Sequence, residues 1–322
     1  MALDWGSTTC RAWLLAGPDD VRDARTSAAG VLAVNELAAT RGCTRQEVFA
    51  EVFDDLCGDW LARSPALAAI ACGMVGSDSG WVDAGYRAVP ADLATAADLT
   101  LVRSTGGATL AVLAGLRSDC ALPDVMRGEE TQVAGLVVGT AGTGGGAART
   151  VVLPGTHSKW VQLRGTTVVD LTTFLTGELY ALLSRRSVIG LLAQPSERPR
   201  WTAFEHGLDV AASPRGAAGL LGTGFSARSL TLAGRLVPDD VLDYLSGLVI
   251  GDEVRGALLL GAAEGAGEVT LCGEPALCER YRRALARVGV VAHPADDGAV
   301  RRGLWHAAVT GGLLEDPEAG RA

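Results

Sequence analysis

The chain has 322 residues, 48% hydrophobic and 20% charged, enough for packed cores and more natural for two domains than one. A net charge of −9 with no basic stripe argues against nucleic acid as a partner, while small anionic ligands stay open, since a few cations and backbone N–H groups hold them whatever the net charge. Asp4 and Gly6 stand where a signal peptide needs its apolar run and no long uncharged apolar stretch follows, so no membrane association and a reduced cytoplasm are expected.

The opening reads strand, tight turn, strand: MALDW, GSTT, CRAWLLAG. Apolar residues at helical spacing (Val48, Val52, Phe53, Leu56, Trp60) predict a helix over 48–61. LAAIAC is a buried strand ending in the glycine-rich GMVGSDSG, and LTLV at 99–102 is a second short one. Strands thus alternate with helical segments, as in a mixed or parallel sheet covered by helices. With only 5% aromatic residues, the core is expected to be mainly Ala, Leu and Val.

After Pro123 the pattern restarts. RGEETQVAGLVVG predicts a helix with an acidic first turn, and GTAGTGGGA at 139–147 predicts a flexible loop within an insertion over 139–149. TVVLPGTHSKWVQLRG is again strand, turn, strand; TGELYALLSRR and residues 239–263 and 275–289 are helical, and VTLCG is a strand closing on Gly273. The boundary is placed at 122–124, giving domains over 1–122 and 123–322, with a C-terminal helix around 304–309 expected to pack back across it. Seven scattered cysteines without a CxxC pair support neither zinc nor a disulfide framework.

LDWGSTTCRAWLL and VVLPGTHSKWVQL share one grammar: a strand, a Gly with a hydroxyl residue after it, then a second strand opened by a cation and a Trp. Gly6 and Ser7 lead to Arg11 and Trp13; Gly155 and Thr156 lead to Lys159 and Trp160. Two such hairpins suggest duplicated domains facing each other across a cleft. The tight turn suits phosphate, because Gly admits the anion, N–H groups point inward and a hydroxyl such as Ser7, Thr8 or Thr156 adds a donor. Gly-Ser is also a common pair in ordinary turns. Asp4, just before the first turn, is placed to hold Mg²⁺. In VTLCGEPALCERYRRAL a glycine where strand gives way to helix lets a flat base or ribose lie against backbone, and Pro275 suits a first helical turn.

The order of these elements resembles the actin/hexokinase/Hsp70 superfamily: a phosphate hairpin in each domain, then an adenosine-side glycine. RGEETQVAGL followed by VVLPGTHSKW is similar to carbohydrate kinases of the glycerol and xylulose kinase type. LDWGSTTCRAWLL, CGMVGSDSGW, VMRGEETQ, PGTHSKWVQ, TGELYALL and LSGLVIGDEV, spread over 3–252, together resemble the 2-dehydro-3-deoxygalactonokinase family. The resemblance implies an α/β, two-domain actin-like ATPase (ribonuclease H-like) fold with the nucleotide in an interdomain cleft. It implies ATP and Mg²⁺ as cofactors, and phosphorylation of 2-dehydro-3-deoxy-D-galactonate at its C6 hydroxyl in galactonate catabolism.

Under that resemblance Glu129 aligns with the catalytic Asp of the broader sugar-kinase group, with Glu130 an open alternative. A carboxylate at a helix N-terminus is favoured as the anion, which readies it as a base and equally suits mere dipole complementation. Lys159 and Arg11 are candidates to neutralise phosphate, although a salt bridge suits Arg11 as well. His157 sits in the second turn as a donor to phosphate or substrate, and Gly273 and Glu274 lie on the adenosine side. Ser77, Asp78, Trp81 and Tyr86 are expected to line the sugar pocket, with Arg127 pairing with the substrate carboxylate. Three departures stand out: almost nothing precedes Asp4, which leaves the natural start open; the 139–149 insertion; and Glu274 beside Gly273, where a smaller residue fits a nucleotide more easily. Two other readings compete, a phosphohydrolase of the same fold and a non-enzymatic sugar or nucleotide sensor. Oligomeric state, a homodimer included, and the sugar acid's stereochemistry are not set by the sequence.

Overall fold

The computed structural model describes residues 1–138, 148–263 and 267–315, so the loop predicted at 139–147 lies outside the described residues. The chain begins β1 (Ala2–Trp5), β2 (Cys10–Leu15), β3 (Val21–Ser27), α1 (Val31–Arg41), α2 (Arg45–Arg63) and β4 (Ile70–Cys72). Short strands β5 (Tyr86–Ala88), β6 (Ala91–Asp92), β7 (Leu99–Arg103), β8 (Thr109–Leu113), β9 (Gly115–Ser118) and β10 (Asp124–Met126) lead to α3 (Glu129–Val137). Then come β11 (Ala148–Leu153), β12 (Ser158–Arg164), β13 (Thr167–Phe174), α4 (Thr176–Arg186), α5 (Trp201–Ala212), α6 (Gly219–Thr223) and α7 (Ser226–Leu232). The chain continues through α8 (Val241–Leu259), β14 (Val269–Leu271), α9 (Pro275–Arg287), β15 (Ala292–Pro294) and α10 (Ala299–Thr310).

The chain divides into two units, Met1–Gly146 with Arg164–Asp170 and Asp296–Ala322, and Ala147–Leu163 with Leu171–Ala295. The first unit therefore runs past the sequence boundary at 122–124 to take in β10 and α3, and α10 belongs to it.

In the first unit the main sheet has the order β3-β2-β1-β4-β8-β7, with β1 antiparallel to β2 and parallel to β4. Side chains alternate between its faces. Leu3, Trp5, Ala71, Leu110 and Val112 join α1 and α2 in one core, while Ala2, Ile70, Cys72, Ala111 and Leu113 pack on Leu304, Ala307 and Ala308 of α10. Trp5, Phe49, Phe53 and Trp81 form one cluster, Phe49 and Trp81 stacked with ring centroids 6.1 Å apart. Helix α2 starts earlier than its apolar spacing predicts because Thr44 and Glu47 form a capping box.

The second unit repeats the order as β13-β12-β11-β14-β15, with β11, β14 and β15 parallel. The recurrence of this 3-2-1-4-5 order makes the fold a duplicated, ribonuclease H-like two-domain actin-like ATPase fold. Trp160, Phe204, Ile250, Val254 and Tyr281 anchor the second core. The first residues of β13, which cluster with the first unit, pair antiparallel with β6, Thr167 opposite Asp92 and Val168 opposite Ala91.

The duplication extends past the hairpins to the helix after each third strand. Val31 and Leu32, at the start of α1, donate their backbone N–H to Gly6 O (3.1 Å) and Ser7 O (3.0 Å). Glu178, at the start of α4, donates to Thr156 O at 2.9 Å. Each approach is closed by a glycine: a Cβ on Gly30 would lie 2.3 Å from Thr8 C, and one on Gly177 2.3 Å from Gly155 O. Each turn is thus clamped by the otherwise unpaired N–H groups of a helix N-terminus.

Candidate active site

In the first unit, β1, β4 and the β10–α3 junction bring three candidate residues to one end of the sheet. Asp4 ends opposite Arg11 in the β1–β2 ladder and accepts its Nη2 at 2.5 Å, the carboxylate 15% and the guanidinium 53% exposed. Asp4 also pairs with Cys72, so Gly73 follows directly beside it; a Cβ on Gly73 would meet Trp5 O at 2.8 Å and Asp4 Oδ1 at 3.5 Å. A Cβ on Gly128 would in turn meet Gly73 Cα at 3.1 Å, and Gly128 has φ +106°, a region side chains rarely adopt. That approach brings the start of α3 up to Asp4.

The two glutamates of α3 then diverge. Glu129 is half-buried and its Oε2 accepts the backbone N–H of Arg127 at 2.9 Å. Glu130 is buried, accepts the Gly128 N–H at 2.6 Å and the Thr131 hydroxyl at 3.1 Å, and its carboxyl is pushed up to about 8, first by burial and then by the charge of Glu129.

Arg127 lies in a slot. Its guanidinium carbon is 4.1 Å from the centre of the Tyr86 ring, and Nη2 donates to Gly85 O at 3.0 Å. A Cβ at Gly76 would fall 3.1 Å from Nη1, and one at Gly115 would fall 2.9 Å from the Tyr86 ring, so both glycines leave room for the stacked pair. The Nε and Nη1 atoms of Arg127 are buried without a hydrogen-bond partner. Unpaired buried guanidinium nitrogens are costly, and a carboxylate is the partner a guanidinium takes most readily.

In the second unit, Gly155 is half-buried and Thr156 and His157 are exposed at the turn. His157 Nε2 lies 2.7 Å from Glu178 Oε2. A Cβ built on Gly155 meets nothing within 4 Å, so no protein packing demands glycine there. Gly273 lies against Pro154, its would-be Cβ 3.2 Å from Pro154 O, which sets the β14–α9 junction beside the hairpin. Glu274 caps α9 by accepting the Ala276 and Leu277 N–H groups. A pocket of about 90 Å³ is lined by Gly155, Thr176, Gly177, Tyr180, Ser246, Val249, Ile250, Leu277 and Tyr281.

Several expected positions are corrected. Trp81 is 5% exposed inside the aromatic cluster and cannot cover a sugar face. Ser77 is also buried, its hydroxyl bonded to Met74 O at 2.7 Å and to Ser79 Oγ at 3.1 Å, which makes it a turn residue. Lys159, a candidate to neutralise phosphate, does open the second strand as read but is buried there on β12. Asp78 and Tyr86 remain accessible, and Ser7 and Thr8 are exposed on the first turn.

A family model described as 2-keto-3-deoxy-galactonokinase matches residues 4–307. The chain belongs to this family. It is 36% identical over 317 residues to a Rhizobium meliloti (strain 1021) protein named a probable 2-dehydro-3-deoxygalactonokinase, over 95% of each chain. It is also 36% identical over 313 residues to the 2-dehydro-3-deoxygalactonokinase of Escherichia coli (strain K12), over 94% of this chain and 95% of that one. A crystal structure of a Sinorhizobium meliloti protein assigned as a 2-dehydro-3-deoxygalactonokinase superposes with a TM-score of 0.79 at 33% identity, covering 98% of this chain and 99% of that one. As a member of the 2-keto-3-deoxy-galactonokinase family the chain is a sugar-acid kinase, a phosphotransferase.

Among the described residues no group of three or more His, Cys, Asp or Glu side chains is arranged to hold a metal. A kinase does not need one, since Mg²⁺ is commonly bound through one or two carboxylates plus substrate phosphates and water. Asp4 fits that use: Arg11 occupies Oδ2, and Oδ1 has no hydrogen-bond partner among the described residues.

Sequence reasoning missed Glu253. It is 4% exposed on α8 and accepts Ser158 Oγ (2.8 Å), Trp160 Nε1 (2.7 Å) and Tyr281 Oη (2.5 Å). The signal was present, because Leu245, Val249, Glu253 and Ala257 form one i, i+4 stripe that is apolar except at Glu253.

Proposed function

We propose that this chain transfers the γ-phosphoryl group of ATP to the C6 hydroxyl of 2-dehydro-3-deoxy-D-galactonate, giving a 6-phosphate suited to aldol cleavage in galactonate catabolism. The names of the E. coli and Rhizobium relatives support the substrate. The observation that carries it is the Arg127 guanidinium, whose Nε and Nη1 are buried without a partner, adjacent in the chain to the start of α3 and Glu129. A cation awaiting a carboxylate beside a carboxylate base is what a kinase of an acid requires and a kinase of a neutral sugar does not.

Each residue then has a stated task. Arg127, held flat by Tyr86 and Gly85 O, binds the substrate carboxylate. Glu129 takes the proton of the attacking hydroxyl; Glu130, buried and proton-holding to about pH 8, is unsuited to that role. Asp4 holds Mg²⁺, which when bound neutralises charge on the phosphates. Arg11 is next to Asp4 and exposed enough to meet phosphate. In the second unit the Gly155–Thr156 turn binds phosphate with His157 as a further donor, and Tyr180, Leu277 and Tyr281 give the base an apolar wall beside Gly273. Glu274 caps α9 with its carboxylate, and no base contact is assigned to it.

The test is a coupled ADP-release assay over a panel of sugar acids, repeated with Glu129→Gln. The proposal expects release that depends on the galactonate-derived keto acid and falls by about 10²–10⁴ in the variant. ATP hydrolysis that no acid enhances would instead favour a phosphohydrolase.

A further inference from the structure

Three segments frame the proposed nucleotide site of the second unit, and all three end on one buried carboxylate. Ser158 and Trp160 follow the hairpin on β12 and give Glu253 Oε1 two donors at 2.8 and 2.7 Å. Thr176 opens α4 immediately before Gly177, whose backbone lies against Gly155 O, and its hydroxyl also bonds Glu253. Tyr281 on α9 gives Oε2 a donor at 2.5 Å. Thr176 and Tyr281 also line the pocket of about 90 Å³ beside Gly155.

A buried carboxylate is tolerated only when donors replace its water, and charge-assisted hydrogen bonds of this kind are short and directional. A residue that merely stabilised α8 would be apolar, as its stripe neighbours are. Burial raises the Glu253 carboxyl, and each of the four donors opposes that rise.

We propose that Glu253 is the positioning residue of the nucleotide half-site, setting the phosphate hairpin, the start of α4 and helix α9 in register around the pocket. The inference rests on the nucleotide reading above and assigns Glu253 no contact with ATP. Removing one donor lets one wall of the site drift while the first unit's acid-binding residues are untouched.

The experiment titrates Glu253→Gln, Ser158→Ala and Tyr281→Phe with MgATP alone by calorimetry, and measures KM for ATP and for the keto acid separately. Tyr281→Phe keeps the ring and guards against a Glu253→Gln protein that fails to fold. The expected result is a rise of about tenfold in Kd and KM for ATP, with KM for the acid within about twofold. A lowered Tm with ATP affinity unchanged, or equal rises in both KM values, overturns the proposal. A wild-type protein that binds MgATP but phosphorylates no acid sinks the substrate reading and leaves the Glu253 test standing. One that binds no MgATP overturns Glu253 as well.

Discussion

Arg127 lies flat on Tyr86, 4.1 Å from ring centre to guanidinium carbon, with two of its nitrogens buried and unpaired. The stack takes up one face of the cation, and Nε and Nη1 are left without a protein partner. Arg127→Ala should therefore raise KM for the keto acid by about 10–100-fold and leave KM for ATP nearly unchanged. Arg127→Lys should recover little, because a point charge does not reproduce the planar fork. Steady-state kinetics with each substrate varied separately checks both.

Glu129 and Glu130 should separate cleanly. Glu129→Gln is expected to lower kcat by about 10²–10⁴ with little change in either KM. Glu130→Gln keeps an acceptor for the Gly128 N–H and should retain most of the activity. Comparable losses of kcat in both would move the base away from Glu129.

Glu130 also makes stability depend on pH. Its carboxyl titrates near 8 in the fold, well above the ordinary carboxylate range of the unfolded chain. Between those values the native state keeps a proton that the unfolded chain has released, so stability is greatest at the acid end and falls as pH rises toward 8. Glu129, Cys72, Arg87, Asp98 and His306 surround this region. Wild type minus Glu130→Gln isolates the term: Tm of the variant should decline less from pH 5 to pH 8. Parallel Tm curves would refute the assignment.

Two glycines three elements apart in role give a contrast. Gly155→Ala puts a methyl into open space, so Tm should hold while KM for ATP rises several-fold through contact with phosphate. Gly177→Ala drives a methyl into Gly155 O and should lower Tm by several degrees along with activity. Thermal melts and ATP kinetics on the two variants decide it.

The duplicated hairpins, the helices at 48–61, 239–263 and 275–289, and the α3 start were legible because each has local grammar: a turn pair, an apolar stripe or an acidic first turn. What escaped was set by tertiary contact. Helix α1 has only Val31, Val34 and Ala38 buried and is held by the first turn's carbonyls, which no periodicity reveals. Trp81 reads as an aromatic in a loop, and only its stack on Phe49 places it in the core. Arg127 could be named from its place beside Glu129, but its unpaired nitrogens depend on Gly76, Gly85 and Tyr86 arriving from another loop.

The most direct test compares ADP release by wild type and Arg127→Ala on 2-dehydro-3-deoxy-D-galactonate and on a neutral sugar of similar size lacking the carboxylate. Wild type should use the acid far better, and Arg127→Ala should lose most of that preference. A wild-type enzyme that phosphorylates both equally, or a variant that still prefers the acid as strongly, would contradict the carboxylate receptor on which the functional reading depends.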